Sequence, residues 1–93
     1  MINTKNMQDN SIIKEMLNKY KDKQMTIVIE ELSELQKEVC KALRDKLNID
    51  NLCEEIADVV ICLQYLIEYY KLDEKYIEKI KEMKLLRTKE LYL

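Results

Sequence analysis

The sequence predicts an all-α fold, a compact bundle of about four helices built from a single domain of 93 residues. Glycine and proline are both absent, which disfavours tight β-hairpins and glycine-rich phosphate loops. Apolar residues recur at three- and four-residue steps along most of the chain, which is the spacing of helices with one buried face. Because a core of this size is only marginally stable alone, we expect association with further copies to complete the bundle.

The first half of the chain predicts a tail and two helices. Residues 1–9 show little periodicity and are expected to form a flexible tail. The first helix is predicted from about 10 to 20. After a short polar break, the second helix is predicted from about 25 to 46, and the stretch LNIDN at 47–51 is the clearest loop.

The second half predicts two further helices of different character. The third, from about 51 to 71, is the most apolar helix of the chain, and Asp58 stands in its centre. Apolar residues all round a helix indicate burial on more than one side. The fourth, from about 73 to 91, is capped by Asp73. It is predicted to bury an inner stripe formed by Tyr76, Ile77, Ile80, Met83, Leu86 and Leu91.

The composition argues against several classes of protein. The chain has 18 acidic and 16 basic residues and a net charge of −2, whereas general nucleic-acid binders usually carry a basic surplus. No segment reaches the roughly 18 uninterrupted apolar residues of a membrane span, and the N-terminus lacks the apolar run of a signal peptide. We therefore predict a soluble, cytoplasmic protein with no nucleic-acid or membrane partner.

The absence of histidine narrows the chemistry further. It excludes Ser-His and Cys-His catalysis and the Glu-x-x-His di-iron site. It also makes a zinc site improbable, because there is no histidine to act as a zinc ligand together with the three cysteines. Cys40 and Cys62 lie in apolar helical context and are predicted to be small core residues. If the protein is an enzyme, carboxylates, lysines or metal-bound water must carry out the proton transfer.

Two groups of acids, EELSE and EEIAD, stand on the two most apolar helices. Residues three apart project from the same side of a helix, so Glu31 pairs with Glu34 and Glu55 pairs with Asp58. A buried carboxylate needs a partner, and the third helix offers Asp58 no basic residue. If the second and third helices run antiparallel, the two pairs reach comparable depth. Four oxygen ligands would suit Mg²⁺, with Mn²⁺ as a substitute.

A solvated surface is the alternative interpretation of the acids. Glutamate is a good helix former and is common on exposed helix faces. The fourth helix repeats the four-residue ladder of Glu30, Glu34 and Glu38 at Glu74, Glu78 and Glu82. Either acidic group alone is therefore weak evidence, and it is their combination on apolar helices that favours a site.

The same residues carry a resemblance to a known family. EELSE…EIAD resembles the EExxE…ExxD motif of the MazG-like, all-α nucleotide pyrophosphohydrolases, and the likeness covers about residues 24 to 90. It implies a Mg²⁺-dependent homodimer or homotetramer that acts in nucleotide metabolism. Such a hydrolase cleaves nucleoside triphosphates between the α- and β-phosphates to a monophosphate and pyrophosphate. By this resemblance the catalytic metal ligands are Glu31, Glu34, Glu55 and Asp58.

The resemblance also implies outer contacts to the substrate. The stretch MKLLRTKE resembles the family's basic C-terminal helix, so that Lys84 and Arg87 would contact phosphates, although plain solvated cations are equally compatible. Glu30 and Glu54 either support the ligands or are simply exposed. The nucleobase is left open. The tyrosines either stack on it or pack in the core or an interface; they are Tyr20, Tyr65, Tyr69 and Tyr70.

Two other functions are compatible with the sequence. The chain could be a non-catalytic nucleotide- or protein-binding module on the same helical scaffold. It could also be a plain helical oligomer whose acids are only surface, but this leaves Asp58 unexplained. A response of stability to Mg²⁺ and a nucleotide distinguishes a site from a surface.

Overall fold

The computed structural model describes the backbone of residues 7–93 and the side chains from Asn10 onward. Four helices follow one another, and no strand occurs within this range, so the all-α prediction is confirmed. Residues 7–9 of the predicted tail belong to the first helix, and residues 1–6 lie outside the described part of the chain. The helices are α1 (Met7–Tyr20), α2 (Lys23–Leu43), α3 (Ile49–Tyr69) and α4 (Glu74–Tyr92).

Hydrogen bonds at the helix ends set where the helices begin and stop. The Asn48 side chain accepts a hydrogen bond from the Asn51 backbone N–H at 3.0 Å, so α3 starts two residues earlier than predicted. Asp73 caps α4 as predicted, since its carboxylate accepts from the Lys75 N–H at 2.9 Å. Helices α3 and α4 therefore begin beside a side-chain acceptor that satisfies part of their free N–H groups, whereas Asp22 at the start of α2 makes no such bond.

The turns after the first three helices are made without glycine. Their left-handed positions are filled by Lys21, Asp45 and Lys71, with φ of 52°, 61° and 55°. Such backbone costs about 1–2 kcal/mol for a residue with a Cβ. The Lys46 N–H donates to the Lys41 carbonyl at 2.9 Å, a bond that closes a helix C-terminus. Helix α2 consequently ends at Leu43, and not at 46 as predicted.

The core lies where α1, α2 and α3 meet. Helices α2 and α3 share the most extensive packing. They run antiparallel, because Val28 shares the core with Cys62 while Glu31, further along α2, meets Asp58, earlier in α3. The buried apolar residues are Ile13, Val28, Cys62 and Tyr65, and the partly buried ones packed on them are Met16, Leu17, Met25 and Leu66.

Helix α4 adds no buried side chain to this core. Met83 and Leu86 of its predicted inner stripe are 65% and 57% exposed. The predicted burial of this stripe is therefore wrong for a single chain, because the extensive helix packing is among α1, α2 and α3 and does not include α4. The stripe remains as an exposed apolar face.

The cysteines divide between core and surface. Cys62 is buried, as predicted, whereas Cys40 is exposed, so its predicted core position is wrong. Cys53 is also exposed. The cause is rotational position on the helix, since an apolar context does not by itself decide which face meets the core.

Within residues 7–93, none of the helices combines the length and the apolar character that crossing a bilayer would require.

Candidate metal centre

Three acidic residues converge where α2 packs against α3. One carboxylate oxygen from each of Glu31, Glu55 and Asp58 lies within 4.8 Å of the other two. Glu55 and Asp58 project from the same side of α3 because they are three residues apart. The antiparallel packing then brings Glu31 of α2 to them. Two separate sequence motifs thus form one spatial group, which we call the acidic triad.

The acidic triad lies one helical turn from the apolar core. Val28 precedes Glu31 by three residues, Cys62 follows Asp58 by four, and both are buried. Burial raises the pKa of the Cys62 thiol to about 11, and the negative charges of Glu31 and Asp58 add to the effect. The acids are therefore close enough to the core for their charge to be felt inside it.

The pKa of Glu31 is affected by burial and by the neighbouring acidic residues. Its pKa is raised above the usual 4.5 mainly by burial and then by a hydrogen bond in which the protonated Glu31 carboxyl donates to Asp58. Repulsion from Asp58, Glu55 and Glu34 raises it further. In this structure the four predicted ligands therefore act on one another through their charge.

Glu55 has a buried side-chain oxygen, Oε2, that lacks a hydrogen-bond partner among the described residues. Its pKa is raised by burial first, and then by repulsion from Asp58, Glu34, Glu38 and Glu54. Among the described side chains, Lys41 pairs with Glu38 and Lys81 pairs with Glu78, and no basic group is among the charges that act on the pKa of Glu31 or Glu55. A buried, unpartnered carboxylate oxygen is costly unless something binds it.

Glu34 lies at the edge of the acidic triad and not within it. It is exposed, and its oxygens fall outside the group that meets within 4.8 Å. Its charge nevertheless raises the pKa of both Glu31 and Glu55. The four predicted ligands thus resolve into three that meet and a fourth on the solvent side, whose role as a ligand stays a prediction.

The donor set fits a hard divalent cation. All donors are carboxylate oxygens, which suit Mg²⁺ or Mn²⁺. At Mg–O distances of about 2.0–2.1 Å, oxygens on opposite sides of the ion stand roughly 4.2 Å apart, close to the 4.8 Å limit within which the triad oxygens lie. A cation would also engage the orphaned Glu55 oxygen and relieve the repulsion that raises the two pKa values.

Glu38 is a neighbour that the sequence did not single out. It is only 7% exposed and forms an ion pair with Lys41, whose Nζ lies 3.2 Å from its Oε2. Its charge also acts on Glu55. The available signal was its position seven residues after Glu31, which places both on one face of α2.

The outer residues suggested by the resemblance are not gathered at the acidic triad. Lys84 and Arg87 are exposed on the C-terminal half of α4, and neither is among the charges that act on the pKa of Glu31 or Glu55. Glu30 and Glu54 are both exposed. Of these four residues, only Glu54 acts on the triad, by repelling Glu55.

No family model, curated protein or solved structure matches this chain. The fold and site define an all-α protein with a partly buried acidic triad. The resemblance to the MazG-like pyrophosphohydrolases therefore rests on the two motifs and stays a prediction.

Neutralising Glu31 is expected to stabilise the metal-free protein. In EDTA at neutral pH, Glu31→Gln removes one repelling charge and should raise the free energy of unfolding by on the order of 0.5 kcal/mol. A raised folded-state pKa means that the Glu31 carboxyl stabilises the fold when protonated and loses this contribution as the pH rises through that pKa. The advantage of the variant should therefore shrink as the pH falls toward 4.5. Urea unfolding followed by circular dichroism measures it.

The matched control for this prediction is Glu82→Gln, which removes the same charge at an exposed position of α4. It should leave the pH dependence of unfolding unchanged. A Glu31→Gln protein that is less stable than wild type at neutral pH in EDTA would contradict the electrostatic interpretation of the triad.

Proposed function

We propose that this protein is a Mg²⁺-dependent nucleoside triphosphate pyrophosphohydrolase that cleaves between the α- and β-phosphates. The observation that carries the proposal is the buried, unpartnered Glu55 oxygen beside Glu31 and Asp58, with no basic group of the described residues among the charges that act on the pKa of Glu31 or Glu55. Mg²⁺ held by few protein oxygens keeps positions for substrate phosphates. The EExxE…ExxD resemblance supports the reaction class.

The proposal gives each acidic residue a role. Glu31, Glu55 and Asp58 hold Mg²⁺, and Glu34 completes the set from the solvent side. When bound, Mg²⁺ supplies positive charge that polarises phosphate oxygens and lowers the pKa of water. The neighbouring core at Val28 and Cys62 keeps one side of the site apolar, so charge interactions there are less screened by water.

The proposed reaction is a single displacement at phosphorus. The oxygen of a water forms a bond to the α-phosphorus, and the bond from that phosphorus to the oxygen bridging to the β-phosphate breaks. Pyrophosphate leaves with the bridging oxygen, and a nucleoside or deoxynucleoside monophosphate remains. Because the chain has no histidine, one of the glutamates of the site accepts the proton of the water.

The exposed stripe of α4 supports self-association as part of the proposal. The core within one chain is small, and large apolar residues such as Met83 and Leu86 face solvent. Burying each such side chain contributes about 1.5–3 kcal/mol, so a homodimer or homotetramer gains stability that one chain lacks. A neighbouring copy would also have to bring Lys84 and Arg87 toward the phosphates. A role in nucleotide metabolism places the protein in the cytoplasm.

The reaction is tested by incubating the protein with ribo- and deoxyribonucleoside triphosphates and Mg²⁺ and resolving the products by ion-exchange chromatography. We expect monophosphate and pyrophosphate, and no turnover in EDTA. Glu55→Gln and Asp58→Asn should each lower kcat/KM by more than about 100-fold, because the bound cation supplies several kcal/mol of charge stabilisation. Glu82→Gln, with the same charge change, should retain activity.

Each contrary result of this assay has a distinct meaning. Diphosphate and phosphate as products would show that the wrong bond was assigned. Full turnover by both Glu55→Gln and Asp58→Asn would refute the assignment of these two residues as metal ligands. If no nucleotide is hydrolysed by wild type, the reaction is refuted and the non-catalytic binding module takes its place.

Self-association should depend on the apolar stripe of α4. Light scattering coupled to size-exclusion chromatography should give a dimer or tetramer for wild type and a smaller species for Leu86→Glu, because a charge cannot be buried in an apolar contact without a large cost. Lys79→Gln changes the net charge by the same amount at an exposed polar position of α4 and should leave the mass unchanged. A wild-type mass of about 11 kDa at all concentrations would contradict the prediction.

A further inference from the structure

A cavity of about 370 Å³ opens between α1 and the start of α2. One of its lining residues, Ile27, precedes Glu31 by four residues, so the two lie one turn apart on the same face of α2. Its volume falls in the range of small-ligand pockets. The walls are mainly apolar, and the lining residues are Met16, Tyr20, Lys23, Gln24 and Ile27.

Gln24 is the unexpected member of this lining. It is only 5% exposed, although its side chain both donates and accepts hydrogen bonds. Gln24 lines the cavity, so its amide can hydrogen-bond to a group that enters there.

Gln24 and Glu31 are seven residues apart on α2, which places them on one face, separated by about 10.5 Å along the axis. Within a nucleotide, the width of the base and the ribose separates the base edge from the α-phosphate by a span of this order. A ligand with its phosphates at the acidic triad can therefore reach the cavity with its base.

Tyr20 supplies an aromatic ring at the same cavity, and the Lys19 ammonium covers one face of the ring at 5.2 Å from its centroid. Tyr20 is 41% exposed, whereas Tyr65 is buried in the core and Tyr69 packs edge-on against Tyr70 at 5.0 Å between ring centroids. Stacking on an aromatic side chain stabilises any nucleobase by about 1–3 kcal/mol in single-stranded nucleic-acid complexes. Lys23 places a cation at the rim.

A second cavity of about 440 Å³ lies between α1 and the end of α3 and is less suited to this ligand. Its lining is more polar and includes the charged residues Lys14, Glu15, Glu68 and Lys71. Glu68 follows Asp58 by ten residues, about 15 Å along the helix. It is thus further from the acidic triad than the cavity at Gln24.

We infer that the cavity between α1 and α2 receives the nucleobase of the substrate, with the Gln24 amide hydrogen-bonded to the base edge and the Tyr20 ring stacked on its face. This inference rests on the proposed function, because it takes the acidic triad as the site of the triphosphate. It assigns base recognition to a pair of residues that hold no metal.

The first test uses nucleosides without phosphates and without metal. Side-chain amides of the protein labelled with [¹⁵N]glutamine are observed by NMR in EDTA while adenosine, guanosine, cytidine or thymidine is added. At least one nucleoside should shift the Gln24 amide signals, which are identified by their loss in Gln24→Leu. The signals of Gln36, exposed on the same helix, should not move. No shift with any nucleoside would overturn the inference.

The second test separates base recognition from chemistry. Gln24→Leu keeps the size of the side chain but removes its hydrogen bonds, so KM for the preferred triphosphate should rise by about tenfold, while kcat stays within about twofold. Tyr20→Ala should act in the same direction, and Tyr20→Phe, which keeps the ring, should behave like wild type. Gln36→Leu is the matched control. If circular dichroism shows that Gln24→Leu is unfolded, the two Tyr20 variants carry the test.

The outcomes distinguish this inference from the proposed reaction. If nucleosides shift the Gln24 amide signals but no triphosphate is hydrolysed, the cavity remains a base-binding site and the proposed reaction is refuted. Hydrolysis with KM unchanged in Gln24→Leu and Tyr20→Ala would keep the reaction and overturn the cavity assignment, because the productive substrate would then bind elsewhere.

Discussion

Repulsion among the carboxylates of Glu31, Glu55 and Asp58 is the constraint on which the account of this protein depends. These groups meet within 4.8 Å beside the core, and burial and mutual charge raise the pKa of Glu31 and Glu55. An arrangement selected only for stability would place a lysine or an apolar residue there. The fold instead holds the acids together by packing α2 on α3 around Val28 and Cys62. A divalent cation bound as proposed would convert this unfavourable group into a favourable one.

Two further features of the structure lie outside the acidic triad, namely the cavity at Gln24 and the exposed stripe of α4. The cavity at Gln24 is lined on α2 as far as Ile27, one helical turn before Glu31, so under the proposed function a single helix would contact both the base and the phosphates. Helix α4 leaves its apolar stripe exposed, with Met83 at 65%, and under the proposed function this stripe is the surface for self-association. Burial is therefore uneven, with a small core in α1 to α3 and a fourth helix that buries no side chain within one chain.

Helix positions and the meeting of the acids could be predicted because both follow from spacing. Three-residue steps place Glu55 with Asp58, and a short connection makes α2 and α3 antiparallel. Properties that depend on which helix face meets the core could not be predicted. Cys40 and Cys62 share an apolar context, yet one is exposed and the other buried. Lys84 stands on a basic stretch that resembles a phosphate-binding helix, but no local pattern states how α4 docks.

Cation binding by the isolated protein tests the central claim most directly. Mn²⁺, titrated without nucleotide and followed by electron paramagnetic resonance, should bind wild type saturably and be displaced by Mg²⁺. Glu55→Gln removes the orphaned carboxylate oxygen and should weaken binding at least about tenfold, whereas Glu82→Gln should not. Equal binding to wild type and Glu55→Gln, or no binding to wild type, would contradict the account, because the repulsion among the three carboxylates between α2 and α3 would then serve no cation.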